Sequence, residues 1–217
     1  MNIYSFPTFN LTKILLTAEE LGMPYQLHLL DAMKREHKTP EHLARHPMGK
    51  VPVVELNGQH YFESNSICRL MAELNGNKLY GNSPEEHAHI NEWIDMIGYH
   101  IGRWLTVYFF EELVKPVLMK GQEPSETALK EAGDFLKQQL PVLEQALSKH
   151  AFITGDNITL ADTIGFSLLE IAEYTSVDLS AYPQINKWYS AIKARPSYAR
   201  AMAKTPQGSI FAVLGKS

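Results

Sequence analysis

The chain has 217 residues, of which 45% are hydrophobic and 20% charged, and its formal net charge is −4 at pH 7. This globular composition predicts one or two domains with a sizeable apolar core, and the charge disfavours nucleic acid or an anionic membrane as a partner. The single Cys68 excludes an internal disulfide framework, and the absence of a signal peptide or long apolar run indicates a soluble cytoplasmic protein.

The start of the chain predicts a strand, a helix and a second strand. Residues 3–6 form a short strand, and residues 7–10 break it. An apolar stripe over residues 11–21 predicts a helix that Gly22 ends, and residues 25–30 alternate in polarity as a strand does. Because a helix joins the two strands, we expect a parallel pair with a right-handed crossover.

The next part of the chain predicts a hairpin that leads directly into a helix. Val51-Pro52 precedes a strand over residues 53–56. Because proline has no backbone N–H, Pro52 fits at the start of a strand. Asn57-Gly58 is the strongest short hairpin signal. Ser64 then begins a helix that extends to about residue 74. The free N–H groups and the dipole of this helix form an anion site beside the hairpin.

After an Asn- and Gly-rich linker at residues 75–82, the patterns are helical. Ser83-Pro84-Glu85-Glu86 and Thr159-Leu160-Ala161-Asp162 are two helix starts of the capping-box type. The predicted helices cover residues 83 to about 110, 125–147 with a kink or break at Pro141, 159–171, 183–194 and 196–203. An α/β half followed by a helical half predicts two domains, residues 1–75 and 83–217.

Two sequence segments carry a resemblance to a known family. G-K-V-P, followed about ten residues later by E-S-N-S-I, resembles the cytosolic glutathione transferases, and so does F-I-T-G-D with T-L-A-D further on. The resemblance covers the whole chain. It implies a thioredoxin-like α/β N-terminal domain that binds glutathione, followed by an all-α C-terminal domain that binds the substrate. It also implies glutathione as cosubstrate, a homodimer, and a detoxifying transferase activity on small electrophiles.

The resemblance assigns roles within the hairpin and the following helix. In the family the Pro is cis, here Pro52, and the backbone of the preceding residue, Val51, pairs with the cysteinyl part of glutathione. Glu63 would pair with the α-amino group, and Ser64 with its helix N-terminus would take the α-carboxylate. A zwitterionic end needs an acid and an anion site side by side, which agrees with this assignment. The alternative is an ordinary hairpin and helix cap.

Cationic residues precede the hairpin. The segment E-H-K-T-P-E closely resembles the phi-class segment whose His and Lys hold the glycyl carboxylate of glutathione, here His37 and Lys38. Lys50 is a second donor for a carboxylate. The alternative is a solvated charged loop.

The loop after the first strand is where the family activates the thiol of glutathione. The run P-T-x-N-x-x-K resembles the bacterial nu class, which uses the Thr and the Asn of this run and is known for disulfide reductase activity; here they are Thr8 and Asn10. Phe9 and Leu11 stand where the nu pattern commonly has Pro and Gly, and Thr8 also falls near the Ser position of the phi class. The alternative is that Thr8 and Asn10 only cap the first helix.

Other side chains are weaker candidates for the thiol contact. The Tyr position of the tyrosine classes falls on Ser5, which stays a candidate, while Tyr4 should point to the opposite side of the strand. Cys68 lies within the third helix, where a small buried apolar side chain is the more typical role.

The second half offers candidates for an electrophile pocket, namely Tyr99, Arg103 and Trp104, with Phe9 from the thiol loop. Aromatic residues at helical spacing are more often core or dimer interface, which is the alternative here. The nine His residues lack the closed ligand geometry of zinc sites, so we expect no metal.

Three functions are open at this point. The first is conjugation of the glutathione thiolate to small electrophiles. The second is a glutathione-dependent disulfide-bond reductase of the nu type. The third is a non-catalytic binding module, because this fold is reused in translation and stress-regulatory proteins.

Overall fold

The computed structural model describes residues 1–205, which form two compact units. The first unit combines residues 1–78 with the helix Pro196–Ala203, and the second unit contains residues 79–195. The domain ranges 1–75 and 83–217 stay a prediction, and residues 206–217 of the second range lie outside the described residues.

The first unit is built on a four-stranded sheet. Its main elements are β1 (Asn2–Ser5), α1 (Phe9–Leu21), β2 (Gln26–Leu29), α2 (Pro40–Arg45), β3 (Val53–Leu56), β4 (Gln59–Tyr61), α3 (Ser64–Leu74) and the last helix, α10 (Pro196–Ala203). A 3₁₀ turn, Glu36–Lys38, precedes α2. The strand order is β2-β1-β3-β4, with β1 parallel to β2 and the other pairs antiparallel. The predicted parallel pair is confirmed.

The hairpin between β3 and β4 forms where the dipeptide signal placed it. Asn57 and Gly58 have φ angles of 51° and 75°, the left-handed region that a two-residue hairpin turn requires. Pro52 lies one residue before β3, so its missing N–H interrupts no bond of the ladder. The helix α3 starts at Ser64, as predicted, directly behind this hairpin.

Helix α1 is the buried centre of the first unit. It begins at Phe9, two residues earlier than predicted, because Thr8 is its N-cap, and it ends before Gly22, whose φ of 70° provides the left-handed C-cap. It packs against α3 and α10. The core around it includes Ile3, Leu15, Val54, Ile67 and Met71.

The second unit is helical. Its α-helices are α4 (Pro84–Met96), α5 (Arg103–Tyr108), α6 (Lys115–Leu118), α7 (Glu126–Leu147), α8 (Leu160–Leu169) and α9 (Pro183–Lys193). The π-helical segments Ile97–Gly102 and Phe109–Val114 join α4, α5 and α6, and the 3₁₀ segment Glu170–Tyr174 follows α8. The capping box predicted at the start of α4 is confirmed by the reciprocal bonds of Ser83 and Glu86.

Pro141 does not break α7, so a break there is wrong, and the kink that was the other possibility stays a prediction. The helix runs from Glu126 to Leu147 with Pro141 inside it. Leu136, Leu140 and Leu143 are buried on either side of the proline, and their packing stabilises the helix. Because Pro141 is exposed, water can bind the carbonyl that loses its helical N–H partner.

The capping box at the start of α8 is confirmed, and its acid is buried. Asp162 is 0% exposed. Its Oδ1 accepts hydrogen bonds from Ile153 N and Trp188 Nε1, both at 2.9 Å. Its Oδ2 accepts from Thr159 N at 2.8 Å and Thr159 Oγ1 at 3.1 Å. One carboxylate therefore joins the start of α8 to the preceding connector and to α9.

Among the helices of residues 1–205, none combines the length and the apolar character needed to cross a bilayer.

Candidate active site

The loop after β1 leads into the N-terminus of α1. Thr8 has extended backbone angles, and its Oγ1 accepts a hydrogen bond of 3.1 Å from Leu11 N. Thr8 therefore does cap α1, as one interpretation of the sequence expected. An oxygen that accepts this bond keeps its own hydrogen, so the Thr8 hydroxyl still carries a donor.

Asn10 connects the start of α1 to the start of α3. The Ser64 hydroxyl donates to Asn10 Oδ1 at 3.3 Å, across 54 residues of sequence. Because Oδ1 faces Ser64, the Asn10 amide nitrogen, with its two donors, points elsewhere. The structure thus brings together two residues assigned to different parts of one ligand: Asn10 to the thiol and Ser64 to a carboxylate.

A second side-chain bond joins the same two helix starts. Lys13, one turn after Asn10 in α1, donates from Nζ to Asn65 Oδ1 at 2.9 Å. Lys13 is 3% exposed, and burial lowers its pKa to about 8. Sequence reasoning missed this residue. The only available signal was its place as the Lys of the P-T-x-N-x-x-K run.

Glu63 precedes α3 with a backbone that few non-glycine residues adopt, φ 65° and ψ 101°. Within residues 1–205 its side chain makes no cap bond to α3. Glu63 is exposed, and the first turn of α3, whose N–H groups lack partners within the helix, follows it directly in the chain. An acid and an anion site are therefore adjacent, as recognition of a zwitterionic group requires.

The segment before β3 is held by a histidine that sequence reasoning also missed. The Val51–Pro52 peptide bond is cis, as the resemblance implied. The buried His42 places Nε2 2.8 Å from the carbonyl oxygen of Lys50. Because a carbonyl accepts, His42 carries its hydrogen on Nε2, and its Nδ1 has no partner among the residues the structure describes. His42 thereby positions the backbone that leads into Val51.

His37 and Lys38 lie in the turn before α2 and contact the segment that leads to Lys50. Lys38 Nζ donates to the Met48 carbonyl at 2.8 Å. Gly49 has a φ of 56°, and a Cβ there would lie 2.6 Å from the His37 carbonyl oxygen, so only glycine permits this close approach. Burial is the main cause that lowers the pKa of His37, which is therefore mostly neutral at pH 7.

The weaker thiol candidates are occupied elsewhere. The Tyr4 hydroxyl donates to the Glu55 carboxylate at 2.9 Å, and burial and Glu55 raise its pKa. Ser5 is buried and donates to the Phe6 carbonyl at 2.8 Å. Cys68 is buried in α3, and burial raises the pKa of its thiol, so it is the inert apolar side chain that its position predicted.

The electrophile candidates divide between the two units, with Phe9 in the first and the others in the second. The Trp104 ring stacks on Phe135 of α7 at 4.3 Å, and the Arg103 guanidinium lies 4.8 Å from the Trp104 ring centre. Tyr99 is 72% exposed. Trp104 therefore takes part in packing within its own unit, and the assignment of all four to electrophile binding stays a prediction.

No cluster of three His, Cys, Asp or Glu side chains suited to a metal ion occurs in the part of the chain that the structure describes.

Comparisons with known proteins decide the family. Residues 11–74 match the family model described as glutathione S-transferase, N-terminal domain, and residues 108–196 match the C-terminal domain of the same family. A probable glutathione S-transferase GSTF2 of Oryza sativa subsp. japonica is 33% identical over 202 residues, which cover 91% of this chain and 93% of that protein. The chain belongs to the glutathione S-transferase family. The resemblance seen in the sequence is confirmed.

A solved structure supports the fold of this glutathione S-transferase. Glutathione S-transferase I from maize, in complex with an atrazine glutathione conjugate, is 30% identical with a TM-score of 0.85, covering 96% of this chain and 99% of that one. The predicted fold class, a thioredoxin-like domain followed by an all-α domain, is confirmed. Elongation factor 1-gamma 1 of Oryza sativa subsp. japonica is 30% identical over 211 residues, which cover 91% of this chain and 47% of that protein.

Proposed function

We propose that this glutathione S-transferase conjugates the thiolate of glutathione to small electrophilic substrates. Family membership makes the chain an enzyme with glutathione as its cosubstrate. The observation that carries the proposal is the bond between Ser64 and Asn10, because it joins the residue proposed for the α-carboxylate to a residue proposed for the thiol. One peptide-sized ligand can contact both helix starts at once.

The γ-glutamyl end of glutathione is assigned to Glu63 and Ser64. The exposed Glu63 carboxylate pairs with the α-amino group, and the Ser64 hydroxyl and the α3 N–H groups bind the α-carboxylate. The backbone of Val51, fixed by cis Pro52 and by the His42 bond to Lys50, pairs with the cysteinyl part. Fixing this backbone before the ligand arrives lowers the ordering cost of binding.

The glycyl carboxylate is assigned to His37, Lys38 and Lys50. The lowered pKa of His37 means that its ring contributes a neutral N–H donor at pH 7 rather than a charge. The positive charge then comes from the two lysines, which are both exposed. Lys38 already donates one of its three N–H bonds to Met48, which holds its ammonium in place.

Thr8 and Asn10 are proposed to stabilise the thiolate. Neither side chain is a strong base, so they act as hydrogen-bond donors, together with the positive end of the α1 dipole. The Thr8 hydroxyl hydrogen and the Asn10 amide hydrogens are the donors that the bonds to Leu11 and Ser64 leave available. The thiolate then attacks the electrophilic carbon, forming a C–S bond while the leaving group departs with its electron pair.

Replacing Glu63 or Ser64 with Ala should weaken the capture of the protein by immobilised glutathione. Each change removes one charge-assisted hydrogen bond, which is worth about 1.5–3 kcal/mol, or roughly tenfold or more in affinity. The matched control is Ser66→Ala, which removes an exposed serine hydroxyl from the same turn of α3. Unchanged capture of both variants would show that the ligand binds elsewhere.

The reaction type is tested by a paired assay on the purified protein. One reaction contains glutathione and an aryl halide, and the other contains glutathione and hydroxyethyl disulfide. Conjugation of the halide supports the proposal. Turnover of the disulfide alone supports the nu-type reductase instead.

A non-catalytic binding module is the second candidate, favoured by the similarity to elongation factor 1-gamma 1. The adjacent acid and anion site at Glu63 and α3 argues for a protein that binds glutathione. A non-catalytic module would show no turnover in either reaction of the paired assay.

We expect a cytoplasmic homodimer. Trp93, Met96 and Tyr99 give the helical stretch that begins with α4 more apolar surface than one core needs, and Tyr99 is 72% exposed. Analytical ultracentrifugation at micromolar concentration should give twice the chain mass of 24.6 kDa. A single species of the chain mass would refute the dimer.

A further inference from the structure

Lys13 is a cation in an unfavourable place for folding. It is 3% exposed, and it lies one turn into α1, close to the positive end of that helix dipole. Its Nζ donates to Asn65, the second residue of α3, so the charge also lies near the positive end of α3. Burial of a charge and two helix N-termini all disfavour an ammonium here.

The protein groups that face Lys13 do not compensate for this cost. The titratable groups that act on it are Glu63, which precedes α3, and Cys68, within α3. Both favour the charged lysine, yet burial outweighs them and lowers the lysine pKa to about 8. Burial also raises the pKa of Cys68, so its thiol is neutral at pH 7. Glu63 is exposed, and solvent weakens its effect on a buried charge.

An anion bound at the start of α3 would compensate for the charge. The bonds Ser64–Asn10 and Asn65–Lys13 form two adjacent connections between the first turn of α3 and one face of α1. The first connection includes the serine proposed to hold the α-carboxylate of glutathione. The second connection ends at the buried ammonium. A carboxylate at Ser64 is therefore bound next to the residue that Lys13 holds.

We propose that Lys13 is a positioning residue of the glutathione site: it holds Asn65 and the first turn of α3 against α1, and its buried charge favours the carboxylate bound there. This inference rests on the proposed function. It assigns a role to a residue of the P-T-x-N-x-x-K run that the thiol assignment leaves unused.

Two substitutions separate this role from a purely structural one. Lys13→Met retains the length of the side chain without its charge, and Lys13→Arg retains the charge. Since an apolar side chain suits a buried site better than an ammonium that has a hydrogen bond but, among the described residues, no ion-pair partner, Lys13→Met should keep or raise the thermal midpoint of unfolding. The same variant should bind S-methylglutathione about tenfold more weakly, while Lys13→Arg should stay closer to the wild type.

Proton uptake gives a second readout. A carboxylate bound near Lys13 raises the lysine pKa, so binding at pH 8 makes the wild-type protein take up about half a proton or less. S-methylglutathione is the probe because its sulfur cannot ionise. Calorimetric titrations in two buffers of different ionisation enthalpy measure the uptake. Lys13→Met and Lys13→Arg should both take up less, since neither side chain titrates near pH 8, while the contribution of the ligand amine remains.

Two results would overturn the inference. The first is equal affinity and equal proton uptake in wild type and Lys13→Met. The second is a parallel loss of thermal stability and affinity in Lys13→Met, which is what a structural lysine would produce. If the wild-type protein binds no S-methylglutathione at all, the proposed function itself fails, which is a distinct outcome.

Discussion

Asp162→Asn lowers the free energy of unfolding of the second unit by about 3 kcal/mol. The four donors around Asp162 occupy both oxygens, two at Oδ1 and two at Oδ2. An asparagine amide must place its NH₂ group against one of these pairs. In either orientation a backbone N–H, the buried one of Ile153 or the half-buried one of Thr159, loses its acceptor and faces another donor.

Urea unfolding followed by tryptophan fluorescence measures this loss. All three tryptophans lie between residues 79 and 195, so the signal reports on the second unit. The matched control is Asp156→Asn, which makes the same chemical change on a side chain that is 83% exposed and should shift stability by less than about 0.5 kcal/mol. If Asp162→Asn and Asp156→Asn had equal urea midpoints, the hydrogen bonds to Asp162 would contribute no stability.

The contribution of Asp162 to the free energy of unfolding depends on pH in a definite direction. Burial raises the pKa of Asp162 to about 6, above the value of about 3.9 for an unfolded chain. The folded protein therefore binds this proton more tightly. The contribution of Asp162 to stability rises as the pH falls from about 6 towards 4. An asparagine side chain cannot titrate, so Asp162→Asn should lack this pH-dependent contribution.

Thr8→Val and Asn10→Ala will each lower turnover at pH 7, by about tenfold or more, and less at pH 9. A thiol with the reference pKa of about 8.5 is mostly protonated at pH 7, so turnover there depends on donors that stabilise the thiolate. At pH 9 glutathione ionises unaided. The measurement is a pH–rate profile with an electrophile that the wild-type protein conjugates.

Three control variants accompany this experiment. Thr8→Ser retains both the cap bond to Leu11 and the hydroxyl donor and loses only the methyl group, so it should keep the wild-type profile. Tyr4→Phe and Cys68→Ala should leave the profile nearly unchanged, because Tyr4 donates to Glu55 and Cys68 is buried. Loss of activity in Cys68→Ala, or a wild-type profile in both donor variants, would disprove the mechanism.

Features that depend on a few neighbouring residues could be predicted from the sequence. Asn57-Gly58 favours a two-residue turn by its own backbone preferences, and the structure shows both residues at positive φ. The capping boxes at Ser83 and Thr159 are likewise local, because cap and partner are three residues apart. The pair Glu63-Ser64 at the start of α3 indicated an acid beside a helix N-terminus for the same reason.

Features that depend on tertiary packing could not be predicted. The bond between Lys13 and Asn65 spans 52 residues, and a lysine in an amphipathic pattern is ordinarily exposed. His42 was one of nine histidines, and only the fold brings it to the Lys50 carbonyl. Pro141 indicated a kink or a break, and a break does not occur because packing of neighbouring leucines outweighs one missing helical bond.

The most direct test of the account measures the pKa of the glutathione thiol while it is bound. Ultraviolet difference absorbance of the thiolate, recorded against pH with saturating protein, gives this value. We predict that the wild-type protein lowers the thiol pKa by about one unit or more below its reference of about 8.5, and that combining Thr8→Val with Asn10→Ala returns it towards that reference. A bound thiol with the reference pKa, or an equal shift in wild type and double variant, would contradict the assignment of Thr8 and Asn10 as the groups that stabilise the thiolate.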